Sequence, residues 1–353
     1  MLINNSRPDP RRRRVCALLV LVAPLWACSG GTTRPDGPTT PSTPRTGTGT
    51  IAGLVVHTLT GTPVAGATLA VEGQSATTDT AGRFSLAGMP VDLTGRVTIS
   101  GEAIVTRQTR IQFADERTGV TFDVIPATLL DFYRQFARNG YESPGFLFDL
   151  SRWVEDPHVY IDRITTDSGT VVPEPIVEEV ARVIRASVPE LTGNQFKVVA
   201  TEVGDVQRPL TPGWLNVEFR SSLQTDQATG IRIGATQGRR HIELLYSPEL
   251  DARGDLDFRR CGSVTIMAAD HEIVHAMGFY HTDDPRDFES GDGCPGTGRP
   301  ERAVQAAAIV YARAPDNRDP DFDPIEVVFS TSDRSVVGRS VTCTLSDIRG
   351  PRR

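Results

Sequence analysis

HEIVHAMGFYH, residues 271–281, carries three of the chain's six histidines. On a helix of about 3.6 residues per turn, His271 and His275 stand four apart and about 40° round the axis, so both imidazoles reach one point. Glu272 falls in the same polar wedge. Gly278 comes three residues after His275, where a helix can end in a left-handed conformation and turn His281 back toward the pair. Three nitrogens converging this way are expected to bind Zn2+ and to leave one tetrahedral position for a water, whose pKa the ion lowers to about 7. Glu272, beside the ligands but not needed as one, is placed to take that water's proton and give it to a leaving amine. Hydrolysis of peptide bonds is the reaction this geometry suits.

The flanking residues agree. Val264, Ile266, Met267, Ile273, Val274 and Met277 make the segment apolar over most of its circumference, as in a buried helix. A buried cluster of His and Glu without a partner is costly, and a metal resolves that conflict.

The stretch resembles the metzincin clan of zinc metallopeptidases, whose signature HExxHxxGxxH is matched at every fixed position. The resemblance implies His271, His275 and His281 as metal ligands and Glu272 as general base. Thr282 after the third histidine is closest in type to the matrixin and pappalysin-like branches. The clan carries a methionine in a tight turn beneath the zinc. Here the methionines are Met1, Met89, Met267 and Met277, and none follows His281. The counterpart of that turn is expected between Asp283 and Gly298, within ESGDGCPGTG, before a helix from Pro300 to about Ala312.

Upstream, the pattern from residue 127 is mixed. Leu129, Leu130, Phe132, Tyr133 and Phe136 form one apolar helical face. A strand is expected from His158 to Ile164, then a helix from about Pro173 to Ser187, with Pro173 or Pro175 near its start and Gly193 past its end. Strands follow at Phe196–Glu202, Trp214–Phe219, Ile231–Thr236 and His241–Tyr246, and the histidine helix starts near Ser263. This order is similar to the metzincin core, a five-stranded mixed sheet plus active-site helix. By that resemblance Ile231–Thr236 is the open antiparallel edge to which an extended substrate adds as a further strand.

The N-terminal 126 residues have a different character. Arg11–Arg14 precede an apolar run from Val15 to Trp26, too short for a mature membrane span, and a cleavage site at Leu25-Trp26-Ala27-Cys28. This resembles a bacterial lipoprotein signal, which makes Cys28 the expected lipidation site. It predicts an exported protein anchored to an outer membrane or cell surface, with a secreted or periplasmic protein as the alternative. Residues 30–50 have almost no apolar side chain and read as a tether. From 51 to 126, short alternating runs such as IAGLVVHTL, ATLAVEG and RFSLAGM predict a small antiparallel sandwich. Pro63–Ala67 and Asp79–Phe84 resemble carboxypeptidase regulatory-like domains, which share a transthyretin-like sandwich. The expected organisation is α+β: signal 1–27, tether 28–50, sandwich 51–126 and metzincin-like domain 127–353.

Beyond Cys16 and Cys28, three cysteines remain. Cys261 and Cys294 are the expected disulfide, worth about 3–4 kcal/mol by loop entropy, with Cys343 a competitor for either partner. The chain has 37 basic and 44 acidic residues, a net charge of −7, and no basic patch, which argues against nucleic acid as a partner. The acidic run Asp316–Pro324 reads as a solvated turn rather than a calcium loop. His57, His158 and His241 are isolated in sequence and expected to be structural or exposed. The leading expectation is a lipid-anchored zinc endopeptidase acting on a peptide or protein substrate. The alternative is a catalytically silent, zinc-containing binding lipoprotein.

Overall fold

The computed structural model describes residues 47–91, 93–113, 117–222, 225–226, 230–246, 248, 263–288, 298–324 and 340–344. Cys28, the signal and most of the tether lie outside the described residues, as do Cys261, Cys294 and the segment 289–297 expected to replace the methionine turn. The class is α+β, with three sheets and four helices among the described residues.

The first seven strands form two small sheets. β1 (Thr48–His57) lies between β4 (Arg83–Pro90), antiparallel, and β7 (Arg117–Val124), parallel. The second sheet runs β3 (Gln74–Thr77), β2 (Thr68–Val71), β5 (Leu93–Ser100), β6 (Arg107–Phe113), antiparallel throughout. Alternate residues of both, including Ile51, Val55, Leu69, Phe84, Val97, Ile99 and Phe122, share one apolar cluster, the consequence of a period of two. Asp79 Oδ1 accepts from the backbone N–H groups of Ala81 (2.9 Å) and Arg83 (2.8 Å), fixing the turn into β4. Two details differ from the sequence expectation. The β1–β7 pair is parallel, and β1 begins at Thr48, inside the segment read as tether.

A third sheet of seven strands positions the histidines. Its order is β11 (Thr225–Asp226), β12 (Gly230–Gln237), β13 (His241–Leu245), β10 (Trp214–Arg220), β8 (His158–Asp162), β9 (Thr201–Gly204), with β14 (Ser340–Thr344) also paired to β12. β9, β8, β10 and β13 are mutually parallel and β12 is antiparallel to β13. The expected five strands are present, with corrected bounds. The segment 196–200 is not strand: only its end bonds beside β8, with Val199 N donating to Pro157 O (2.9 Å) and Val159 N to Ala200 O (2.9 Å), and β9 starts at Thr201. The sheet also has two strands more than expected. β14 pairs antiparallel along β12, from Arg232 opposite Thr344 to Gln237 opposite Ser340, so the edge expected to be open is covered. Unpaired backbone groups along an edge accept any compatible strand, and this chain supplies one.

α1 spans Leu130–Arg138, α2 Glu174–Leu191, α3 Val264–Ala276 and α4 Glu301–Tyr311. Pro173 caps α2 and Pro175 sits in its first turn, where the missing N–H costs nothing; at the other end the helix runs one turn beyond the expected Ser187, to Leu191. Val159, Ile161, Leu215, Val217, Ile242 and Leu244 pack against Val177, Val180 and Ile184 of α2 and Ile273 and Val274 of α3. Each such side chain contributes about 1.5–3 kcal/mol by leaving water. No helix among the described residues is long and apolar enough to cross a membrane.

The acidic run at 316–324 corrects another expectation, because Asn317 and Asp321 are fully buried. Arg313 Nε donates to Asp321 Oδ1 (2.8 Å), and its Nη2 to Thr58 Oγ1 (3.0 Å). Arg313 Nη1 also reaches Asp123 Oδ2 on β7 (2.5 Å), and Arg134 makes a two-pronged contact with Asp319. Arg107 and Arg134, far away in sequence, join the adjacent Arg313 in neutralising the run, which is why composition alone suggested a solvated turn.

Candidate metal centre

Ser263 begins the site. Its hydroxyl oxygen accepts from Thr265 N (3.1 Å) and Ile266 N (3.4 Å), satisfying two of the N–H groups that a helix start leaves unpaired. α3 then carries His271, Glu272 and His275 into the core, all three buried. Its last carbonyls are met from other elements: Trp153 Nε1 donates to Ala276 O (2.8 Å) and Tyr311 Oη to Met277 O (2.9 Å). Gly278 follows with φ +104°, and a Cβ there would lie 1.9 Å from Ser151 O. Only glycine fits both the dihedral and that approach. The chain turns, Tyr280 N donates to Phe136 O (2.8 Å), and His281 returns to the helix.

The three Nε2 atoms form a near-equilateral triangle: His271 to His281 3.1 Å, His275 to His271 3.2 Å and His275 to His281 3.2 Å. Nδ1 of His275 faces Phe279 O at 2.8 Å, and Nδ1 of His281 faces Glu142 Oε1 at 2.5 Å. Both partners are acceptors, so each Nδ1 carries the proton and each Nε2 presents a lone pair to the centre. Lone pairs converging at 3.2 Å repel, and a cation between them removes the repulsion. Tetrahedral zinc bound at 2.0–2.1 Å separates its ligand nitrogens by about 3.3–3.4 Å, close to this triangle, so the donor set fits that ion. Burial pushes His271 and His275 well below the ordinary histidine range, and the neighbouring rings add to the effect; neutral imidazole is the ligating form.

Several residues to which sequence reading gave no role at the site hold this arrangement. Thr236 on β12 donates to Glu272 Oε2 at 2.5 Å, orienting the carboxylate. Arg299, buried, binds Asp270 Oδ1 (2.7 Å), Glu190 Oε2 (2.7 Å) and the backbone oxygen of Asp270 (2.8 Å), tying α2 to α3 one residue before His271. Thr282 donates to Asp287 Oδ2 (2.6 Å), which Arg302 also grips (2.8 Å), fixing the loop that follows His281. Glu142 lies 139 residues from His281, and no local pattern marks it. Tyr280 packs edge-on to Phe148, in its expected structural role.

His241 does not stand alone in the fold. It meets Glu218 and Glu243 in a second group of side chains whose types can ligate a metal, all buried. His158, by contrast, stacks on Trp214 with ring centroids 4.7 Å apart.

No protein-family model matches the chain, and no curated protein matches it. Among solved structures, 21% of the chain is similar, at 26% identity and a TM-score of 0.16, to 51% of a chain from a C-terminal interface mutant of the type II cohesin–X-dockerin complex of Acetivibrio cellulolyticus. The N-terminal interface mutant of the same complex gives 28% identity and a TM-score of 0.15, over 21% of this chain and 49% of that one. The chain thus spans about half the length of these structures, and a likeness so partial fixes neither fold nor function.

Proposed function

We propose that this chain is an exported zinc metalloendopeptidase of metzincin type, anchored through a lipid on Cys28. The observation that carries the reading is the triangle of Nε2 atoms at 3.1–3.2 Å with Glu272 on the same helix. The strand order β12-β13-β10-β8-β9, with only β12 antiparallel among these five, supports the metzincin-like core. The two small sheets sharing one apolar cluster support a sandwich domain before it.

Bound between the three imidazoles, zinc would supply a water ionised near neutral pH and a positive charge for the developing oxyanion. Glu272 takes the proton from the attacking water and passes it to the leaving amine. Thr236 holds the Glu272 carboxylate on one oxygen while the other serves the proton transfer. Phe279 O and Glu142 fix the rings of His275 and His281, so the ligands require no reorganisation. The edge of β12 that was expected to receive an extended substrate is already filled by β14.

That last point favours a second reading, in which the covered edge belongs to a catalytically silent zinc-containing lipoprotein that binds a partner. Cleavage of a peptide library by the full chain, alongside Glu272→Ala, separates the two. The peptidase reading expects cleavage that Glu272→Ala abolishes with zinc content unchanged. A zinc-loaded protein that cleaves nothing, or cleavage indifferent to Glu272→Ala, overturns it.

A further inference from the structure

The third sheet has two unlike faces. Leu215, Val217 and Phe219 of β10 point to the helices, and Asn216 and Glu218 point the other way. In register, Glu218 stands between Asp162 of β8 and Glu243 of β13, so three carboxylates lie abreast on adjacent strands. All are buried, with 3% of Asp162, 3% of Glu218 and 4% of Glu243 exposed. Like charges side by side in a sheet destabilise it, and burial raises the cost. Burial, then the charges of Glu218 and Asp205, push the Asp162 carboxyl up.

The neutralisation visible in the row is incomplete. Arg220 reaches Glu243 Oε1 through Nη2 (2.7 Å) and Nε (3.1 Å), Gln207 donates to Glu218 Oε1 (2.8 Å), and Ile164 N donates to Asp162 Oδ1 (3.0 Å). Three buried atoms have no hydrogen-bond partner among the described residues: Glu218 Oε2, His241 Nε2 and Asn216 Oδ1. They belong to neighbouring positions, since Asn216 is opposite His241 in the β10–β13 register. Glu218 Oε2 and His241 Nε2 lie 3.2 Å apart in an ion-pair contact, and although burial raises the Glu218 carboxyl, His241, Gln207 and Arg220 together hold it below its ordinary range. One donor atom from each of Glu218, His241 and Glu243 lies within 4.8 Å of the others.

We propose that Glu218, His241 and Glu243 bind a second divalent ion of the zinc class, separate from the three-histidine centre. Two carboxylates and an imidazole are the donor set for a first-row divalent metal, and the ion's two charges offset the surplus of the carboxylate row. A cover is already built over this face by the loop after β9. Tyr160 Oη donates to Val206 O (2.6 Å), Asn216 Nδ2 to Arg208 O (2.7 Å), and the Arg208 guanidinium lies 3.5 Å from the Trp214 ring centroid. Three protein donors leave a tetrahedral ion one position for a water, and the loop shields such an ion from bulk solvent.

The test is metal stoichiometry on the full chain, stripped with chelator, reloaded with Zn2+, gel-filtered and assayed by elemental analysis. Two equivalents per chain are expected for wild type. Glu218→Gln and His241→Gln, each checked for an unchanged far-UV spectrum, are each expected to lose one. His275→Ala is expected to lose the other. Folded Glu218→Gln and His241→Gln proteins that keep the wild-type zinc content overturn the proposal. A single equivalent that survives His275→Ala and is lost in Glu218→Gln upholds this site while overturning the peptidase reading. The converse pattern overturns this site alone.

Discussion

Gly278→Ala tests whether the turn that returns His281 is dictated by a contact rather than by helix-ending preference alone. The residue has φ +104°, and the added methyl carbon would sit 1.9 Å from Ser151 O and 3.0 Å from its carbonyl carbon. An L-residue in left-handed backbone costs about 1–2 kcal/mol. Relieving a clash with backbone in a packed core adds about 1–3 kcal/mol. Gly238, in the turn between β12 and β13, is the internal control: its φ is +61° and nothing lies within 4 Å of a Cβ there. Gly238→Ala therefore carries the dihedral cost alone, about 1–2 kcal/mol. Urea unfolding of metal-free protein, which removes the contribution of ion binding, is expected to rank Gly278→Ala about 1–3 kcal/mol below Gly238→Ala. Zinc binding by folded Gly278→Ala is expected to weaken at least about tenfold, because second-order displacement of one ligand is enough to do so. Equal destabilisation by the two substitutions would refute the steric argument.

Thr236→Val removes a hydrogen bond to a charged carboxylate, worth about 1.5–3 kcal/mol, so kcat/KM is expected to fall about 10–100-fold with zinc content intact; unchanged turnover would exclude a positioning role for Thr236. Glu142→Ala deprives His281 Nδ1 of its acceptor and is expected to weaken zinc binding about 10–100-fold in a chelator competition. For Asp123, burial raises the carboxyl but Arg313 and Arg107 outweigh it and hold it at about 2, below its ordinary 3.8. A depressed folded pKa contributes stability that is complete above the unfolded pKa and is lost as pH falls through the folded one. Asp123→Asn is therefore expected to cost about 2 kcal/mol at pH 7, with the gap to wild type narrowing between pH 4 and pH 2 in a denaturation series; a gap independent of pH would count against the ion pairs.

The features legible from the amino-acid order alone are local. His271, Glu272 and His275 share a helix face because 3.6 residues make a turn, Ser263 caps that helix because its hydroxyl reaches N–H groups two and three residues on, and Gly278 ends it. Strand positions followed from alternation wherever one face is buried, and the segment at 196–200 misled because its apolar residues pack on the core while only Val199 and Ala200 hydrogen-bond beside β8. Tertiary structure decided everything that depends on residues far apart in the chain. The reason Gly278 admits no side chain is Ser151 O, 127 positions earlier in the numbering. Thr236 reaches Glu272 only once the sheet has packed against α3, and Glu142 reaches His281 only once α1 has packed against the turn that follows it. The same holds for the carboxylate row, where Asp162, Glu218 and Glu243 become neighbours through strand register, and for β12, whose edge is closed by a strand more than 100 residues further along. Periodicity records which face of an element is buried, but it carries no information about which distant residue will lie against that face, because the pairing is fixed by the packing of the whole core.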